Sequence, residues 1–160
     1  MRTQKGFSLI ELLIVVAIIL VIAAIAIPSL VRSKMAANEA SAVNSLRTLS
    51  TAETTYAQTY PDLGYTCTLT SLGPPSGGGS LSSAGAGIID SVLATGKKAG
   101  YSFALSNCTG TPISTYRTTA VPQQPGATGS RAFYSDSSGV LHYAADGTAT
   151  TCIASGIVLQ

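Results

Sequence analysis

Residues 5–30 read KGFSLIELLIVVAIILVIAAIAIPSL, and the fold follows from them. Between Phe7 and Leu30 the only charged side chain is Glu11, and from Leu12 to Ile27 there is no polar side chain. Wound as a helix at about 1.5 Å per residue, a run of that length crosses a hydrocarbon core about 30 Å thick. An ordinary secretory signal carries an apolar region of about 7 to 15 residues followed by a small-x-small cleavage site. The longer block here is expected to be a retained span. Two cations flank it on each side, Arg2 and Lys5 before and Arg32 and Lys34 after, so loop charge does not orient it. Cysteine does. Cys67, Cys108 and Cys152 all lie downstream without a C-x-x-C pair, and disulfides form outside the cytoplasm, which puts the short N-terminus in the cytoplasm and the rest across the membrane.

The helical signal continues past the span. Met35, Ala42, Leu46, Leu49, Tyr56 and Tyr60 recur at three- and four-residue steps and their multiples, and Glu39 and Glu53 fall in the same register. No glycine occurs between Phe7 and Leu63, so one helix of about 54 residues, about 80 Å long, is expected. Pro28 removes a backbone donor inside it, and a kink or local loosening is expected there. Tyr60-Pro61-Asp62-Leu63-Gly64 ends it, because the residue before a proline is pushed out of the α region.

The chain is 160 residues long, a one-domain length, with nine Lys+Arg against seven Asp+Glu; that balance gives no basis for an electrostatic nucleic-acid site. Charged residues make up only 10% of it, and the apolar content is concentrated in the N-terminal block, so residues 61–160 must form a small, polar-surfaced head. Within that head, Gly73-Pro74-Pro75-Ser76-Gly77-Gly78-Gly79 and the small residues after it are expected to be a flexible loop over 73–87. Ile88 to Ala94, stopped by Gly96, has the spacing of a short helix at 88–95. From about residue 100 the period changes. Tyr101-Phe103-Leu105, Thr115 to Val121, Arg131 to Ser135 and Val140 to Ala144 predict three or four antiparallel strands, with a hairpin loop at Asp136-Ser137-Ser138-Gly139. Thr148 to Leu159 is expected to add an edge strand after the Asp146-Gly147 turn. The fold class is therefore α+β: a long N-terminal helix, apolar over 7–30, continuing amphipathically over 31–60 onto a small antiparallel sheet.

Glu11 is the residue that does not belong in a span. An acid or base costs about 2.5 to 3.5 kcal/mol at the centre of an inserted helix and less near its end. One reading is a carboxylate that reaches the headgroups. The other supplies a partner: cleavage after Gly6 would free an amine at Phe7, one helical turn from Glu11, and a neighbouring copy could present its own amine to that carboxylate.

Lys5-Gly6-Phe7-Ser8-Leu9-Ile10-Glu11-Leu12-Leu13-Ile14-Val15-Val16 resembles the prepilin signature of type IV pilins and type II secretion pseudopilins. The resemblance implies a leader at 1–6, cleavage after Gly6 by a prepilin peptidase, N-methylation of Phe7, and a docking role for Glu11 in a helical filament. Ile27-Pro28-Ser29-Leu30 resembles the helix proline of the family, which carries Pro28 over as an assembly residue. The partners implied are membrane lipid before assembly, an inner-membrane assembly platform, and other copies of the chain. The implied localisation is the bacterial inner membrane, with the head on the periplasmic side, and then a periplasmic or extracellular filament. Gly100-Tyr101-Ser102-Phe103 and the segment from Gly126 to Tyr134 look like parts of some type IV pilin heads. The signature serves pilins, with uses in adhesion, motility or DNA uptake, and pseudopilins alike; the longer head with its Gly/Ser loop and cysteines favours a pilin. A monomeric membrane-tethered binding domain is the reading from another class, and it would leave Phe7 unprocessed.

Catalytic constellations are missing from the sequence, and no enzyme is expected. The only histidine, His142, has no G-x-S-x-G elbow to serve. Gly85-Ala86-Gly87-Ile88-Ile89-Asp90 has Asp90 where a dinucleotide fingerprint needs its third glycine, and Gly96-Lys97-Lys98 lacks the hydroxyl of a phosphate loop. No cofactor is expected. Asp136 and Asp146 are the candidates for a calcium ion, which resembles the calcium loop of major pseudopilins. Two carboxylates fall short of the six to eight oxygens such a cage takes, and turn formation is the favoured role. Three cysteines allow three pairings. Joining Cys67 to Cys108 would pin the Gly/Ser/Pro loop and is favoured; Cys108 with Cys152 is the alternative, resembling the C-terminal disulfide loop of many pilins.

Overall fold

The computed structural model describes residues 7–159. The leader, with Gly6, lies outside them. Helix α1 spans Leu9–Thr59. Its start is fixed by Ser8, whose carbonyl accepts from Leu12 N–H at 3.2 Å and whose own N–H is taken by Glu11 Oε2 at 3.1 Å. This is half of a capping box, in which the residue three positions into the helix reaches back to the cap. The helix continues through Pro28, where the donor normally aimed at the Ala24 carbonyl is missing. Gly64, at φ +77°, closes the far end by donating its N–H to Tyr60 O, and a side chain there would strike the Ile113 backbone.

Two compact units meet in sequence between Lys34 and Met35. In the first, the apolar side chains from Leu9 to Leu30 are almost all exposed: Leu9 at 75%, Ile25 at 74% and Leu30 at 70%. An 18-residue window of this helix has a mean hydropathy of 3.3 and none of it is buried.

In the second unit the rest of α1 buries one stripe. Ala42, Leu46, Leu49, Ala52 and Tyr56 fall at helical spacing and are at most 3% exposed. They lie against a six-stranded sheet whose strands follow one another in order, each antiparallel to the next: β1 (Lys97–Lys98), β2 (Tyr101–Thr109), β3 (Thr115–Pro122), β4 (Ala132–Asp136), β5 (Leu141–Ala144) and β6 (Ile157–Val158). Side chains alternate faces along a strand. The register Phe103↔Ala120↔Phe133↔Tyr143 therefore sets one row on the face that meets α1. Burying each large apolar side chain of this core is worth about 1.5–3 kcal/mol. On the opposite face, Ala132, Tyr134 and Ala144 pack with Cys152 of helix α4 (Ala149–Ser155).

Four expectations need correction. The helix expected at 88–95 forms only over Ser91–Ala94, α3, because the Asp90 carboxylate caps it by accepting from Leu93 N–H at 2.8 Å. Ile88 and Ile89 lie outside the helix and donate instead to Leu72 O, at the end of α2 (Leu69–Leu72). The tail expected as a strand is mostly α4: Thr148 accepts from Thr151 N–H and starts a helical turn, leaving β6 only two residues. The sheet has six strands rather than three or four because both edges are two-residue strands, too short to show a period. The 73–87 segment contains one 3₁₀ turn, Ser76–Gly78, and is fastened rather than loose: Tyr56 donates its hydroxyl to Ser83 O at 2.8 Å and Ala86 N–H reaches Ser71 O at 2.8 Å.

Candidate functional site

At the N-terminal end, Phe7 is 80% exposed and Glu11 is also exposed, with one carboxylate oxygen held by Ser8 N–H. The local bond matters chemically. It keeps an acid at the mouth of a wholly apolar helix surface with its second oxygen free for another donor, and a negative charge in the first turn also suits the positive end of the helix dipole. Ser8-Leu9-Ile10-Glu11 carries the S-x-x-E signature before an apolar run, so this contact was available from the sequence and was missed. Pro28 sits less than one turn before the end of the exposed apolar surface at Val31; Ser33 Oγ donates to Ser29 O at 3.1 Å just beyond it.

Within the second unit, two acids in the register of the apolar stripe proved to be buried anchors. Glu39 is 6% exposed and accepts from Ser130 N–H at 2.9 Å, Ser130 Oγ at 2.9 Å, Arg131 N–H at 3.2 Å and Arg131 Nε at 2.8 Å, with Arg131 Nη2 at 2.7 Å from Oε2. Burial alone would push this carboxyl up; the bonds from Ser130 and Arg131 outweigh it and hold the acid below its ordinary range. Next to it, Asn38 Nδ2 donates to Thr128 O at 2.8 Å. The loop over 123–131 is thus locked onto α1, and Gly129 is required there because any Cβ would enter the Tyr101 ring. Glu53 is fully buried with one partner, Thr66 N–H at 2.8 Å, and its Oε1 has none. Burial raises it to about 7, against the opposing Thr66 bond. An acid in an apolar register is the signal that could have found both.

Thr66 precedes Cys67, and Cys67 is bonded to Cys108 with a Cα–Cα distance of 6.0 Å. This is the favoured pairing, and the bond closes the chain over the loop that contains 73–87. Cys152 is free and buried, its Sγ 3.6 Å from Ala132 O; burial pushes the thiol up to about 11. Asp136 and Asp146 are not brought together. Asp136 accepts from Ser138 N–H and Oγ and from Tyr134 Oη, and Asp146 accepts from Thr148 N–H and Oγ1, so both act as turn residues. Among the described residues no three His, Cys, Asp or Glu side chains gather as a metal group. His142 lies on β5, stacked on Tyr134, with Nδ1 3.2 Å from Gly156 O.

Residues 1–27 match the family described as the prokaryotic N-terminal methylation motif. With the exposed apolar helix and the six-stranded antiparallel head, that match defines a type IV pilin-like protein carrying the prepilin-type N-terminal methylation signature. A curated relative, the "Type IV wide pilus major component PilA4" of Thermus thermophilus, is 56% identical over 39 residues. The shared stretch covers 24% of this chain and 30% of that protein, so the likeness spans under a third of the relative's length. No solved structure matches.

Proposed function

We propose that this chain is the structural subunit of an extracytoplasmic type IV pilus. It enters the inner membrane as a prepilin with its N-terminus in the cytoplasm, is cleaved after Gly6 by a prepilin peptidase, is N-methylated at Phe7, and polymerises through its N-terminal helix. The observation that carries this is the surface of α1 from Leu12 to Ile27, apolar on every side and exposed. Such a surface needs lipid or other helices around it. In lipid, one charged end group and small energetic differences decide whether copies associate; Glu11 is that group here, and an amine released at Phe7 lies one turn away from it. Loss of Arg2 and Lys5 with the leader brings nine cations to seven, level with the seven acids, which removes net repulsion between stacked copies.

A type II secretion pseudopilus uses the same N-terminal chemistry. The relative named for a wide pilus supports the pilus reading, as does the fastened Gly/Ser loop of a comparatively elaborate head. Mass spectrometry of the fraction sheared from the surface of the native host tests the proposal. A subunit that begins with N-methyl-Phe7 and is enriched in sheared filaments supports it. An uncleaved chain that stays in the membrane overturns it and leaves the tethered-domain reading.

A further inference from the structure

A groove with a volume of about 330 Å³ runs beside α1 in the second unit, lined by Arg47, Thr48, Thr51, Ala52 and Ile88. The hydroxyls of Thr48 and Thr51 donate to the helix's own carbonyls at Asn44 and Arg47, at 3.0 and 3.1 Å, so their protons are spent. Arg47 is then the groove's one unspent side-chain donor: it is exposed and forms no ion pair among the described residues. The acids of the head leave a matching remainder. Glu39 is paired with Arg131 and Asp90 with Lys98, Glu53 is buried, and Asp136 and Asp146 accept from residues of their own turns. Among the described residues Asp62 is in no ion pair and its carboxylate accepts no hydrogen bond. It stands exposed at the corner where α1 ends, beside Leu63, which is 47% exposed. The corner is held in place, since the N–H groups of Leu63 and Gly64 both donate to Tyr60 O and Ile113 N–H donates to Leu63 O.

Arg47 and Asp62 cannot answer each other within one copy, because about 18 Å of helix separates Arg47 from the last residue of α1, Thr59. Between copies they can. An open filament needs two different surfaces on each copy that fit each other, since a self-complementary patch closes into a dimer. We propose that the corner at Asp62 and Leu63 of one copy docks into the Arg47 groove of a second copy, the carboxylate meeting the guanidinium and Leu63 lying against Ile88. The inference rests on the filament reading and adds to it the contact that staggers neighbouring heads. Copies leaving one membrane in the same orientation have parallel helices, so this contact sets them about 20 Å apart along the helix axis. A surface ion pair adds little affinity by itself; it selects partner and register, because a like charge in the same place is repelled. Lys97, on edge strand β1, is the other exposed cation of the head without an ion pair among the described residues and supplies the internal comparison.

The test is filament yield in the native host, read as the amount of this chain sheared from the cell surface, for a set of charge reversals. Asp62→Lys and Arg47→Glu each set like charges against one another and are expected to lower the yield at least tenfold. Together they exchange the charges and should restore it to within twofold of the wild type. Asp62→Lys with Lys97→Glu restores the same net charge without the pair and should stay low. All three positions are exposed, and unchanged melting temperatures in micelles separate a lost contact from a lost fold. Asp62→Cys with Arg47→Cys should give disulfide-linked ladders of this chain under mild oxidation, which neither single variant gives; Cys152 is buried and takes no part. Yields unchanged in the single reversals, recovery with Lys97→Glu in place of Arg47→Glu, recovery with neither, or absence of the ladder would overturn the contact, while filaments of the wild type leave the filament reading standing. A wild type that sheds no filaments would overturn both.

Discussion

Glu53 makes the stability of the head depend on protons. Its carboxyl is inaccessible to solvent, one oxygen is satisfied by Thr66 N–H and the other by nothing, and burial lifts it from an ordinary 4.5 to about 7. A group that holds its proton more tightly when folded than when unfolded stabilises the fold fully below the unfolded value. That stabilisation is lost as pH rises through the folded one. Moving a carboxyl over that interval corresponds to about 3 kcal/mol. For a head of this size, about 3 kcal/mol lowers the melting temperature by about 10 °C. The assay is thermal unfolding of the full-length chain in micelles, followed by the tyrosine near-ultraviolet circular dichroism signal from pH 4.5 to 8, for the wild type and for Glu53→Gln. Glutamine stays neutral and keeps an acceptor for Thr66, while its amide protons add an unmet cost of about 1–3 kcal/mol at every pH. The difference between the two proteins should therefore shrink steadily between pH 5 and 8. A difference that does not change with pH would refute the reasoning.

Glu39→Ala strips five donor groups of Ser130 and Arg131 of their acceptor and is expected to destabilise the head by about 2 kcal/mol. Amide exchange at Ser130 and Arg131 should accelerate far more than exchange in β2. Because the Glu39 carboxyl is held below its ordinary range, its contribution should be present above the unfolded value and fade as pH falls through the folded one, opposite in sign to Glu53. A Cys67→Ser/Cys108→Ser double variant releases a loop with a sequence separation of 41 and should cost about 4 kcal/mol by the loop-closure relation, measured by denaturant titration with and without reductant. Reductant should shift the wild type toward the variant and leave the variant where it is.

How far the sequence could be read follows from length of pattern. The 51 residues of α1 hold one period and lack glycine, so its start, its end at Pro61 and its buried stripe were all visible. The four longer strands alternate over enough residues to show themselves. Lys97–Lys98 and Ile157–Val158 do not: two-residue strands exist only because a neighbour offers an edge, and no local period encodes that. Asp90 and Thr148 are caps: the first moves the expected helix start from 88 to Ser91, and the second opens a helix at Ala149 where an edge strand was expected. At the site, the prepilin signature was legible because its chemistry is packed into consecutive residues. Glu39, Arg131, Ser130, Glu53 and Thr66 were not, since the partners of each acid come from separate parts of the chain.

The central claim is that copies of this chain bury one another's apolar helices. Electron cryomicroscopy of filaments sheared from the native host tests it most directly. The account predicts density for this head on the outside and, at the axis, a bundle of helices in which residues 9–30 are surrounded by their counterparts and Glu11 lies within bonding distance of a Phe7 amine. Filaments built from this chain with those residues facing solvent, or surface filaments from which it is absent, would contradict it.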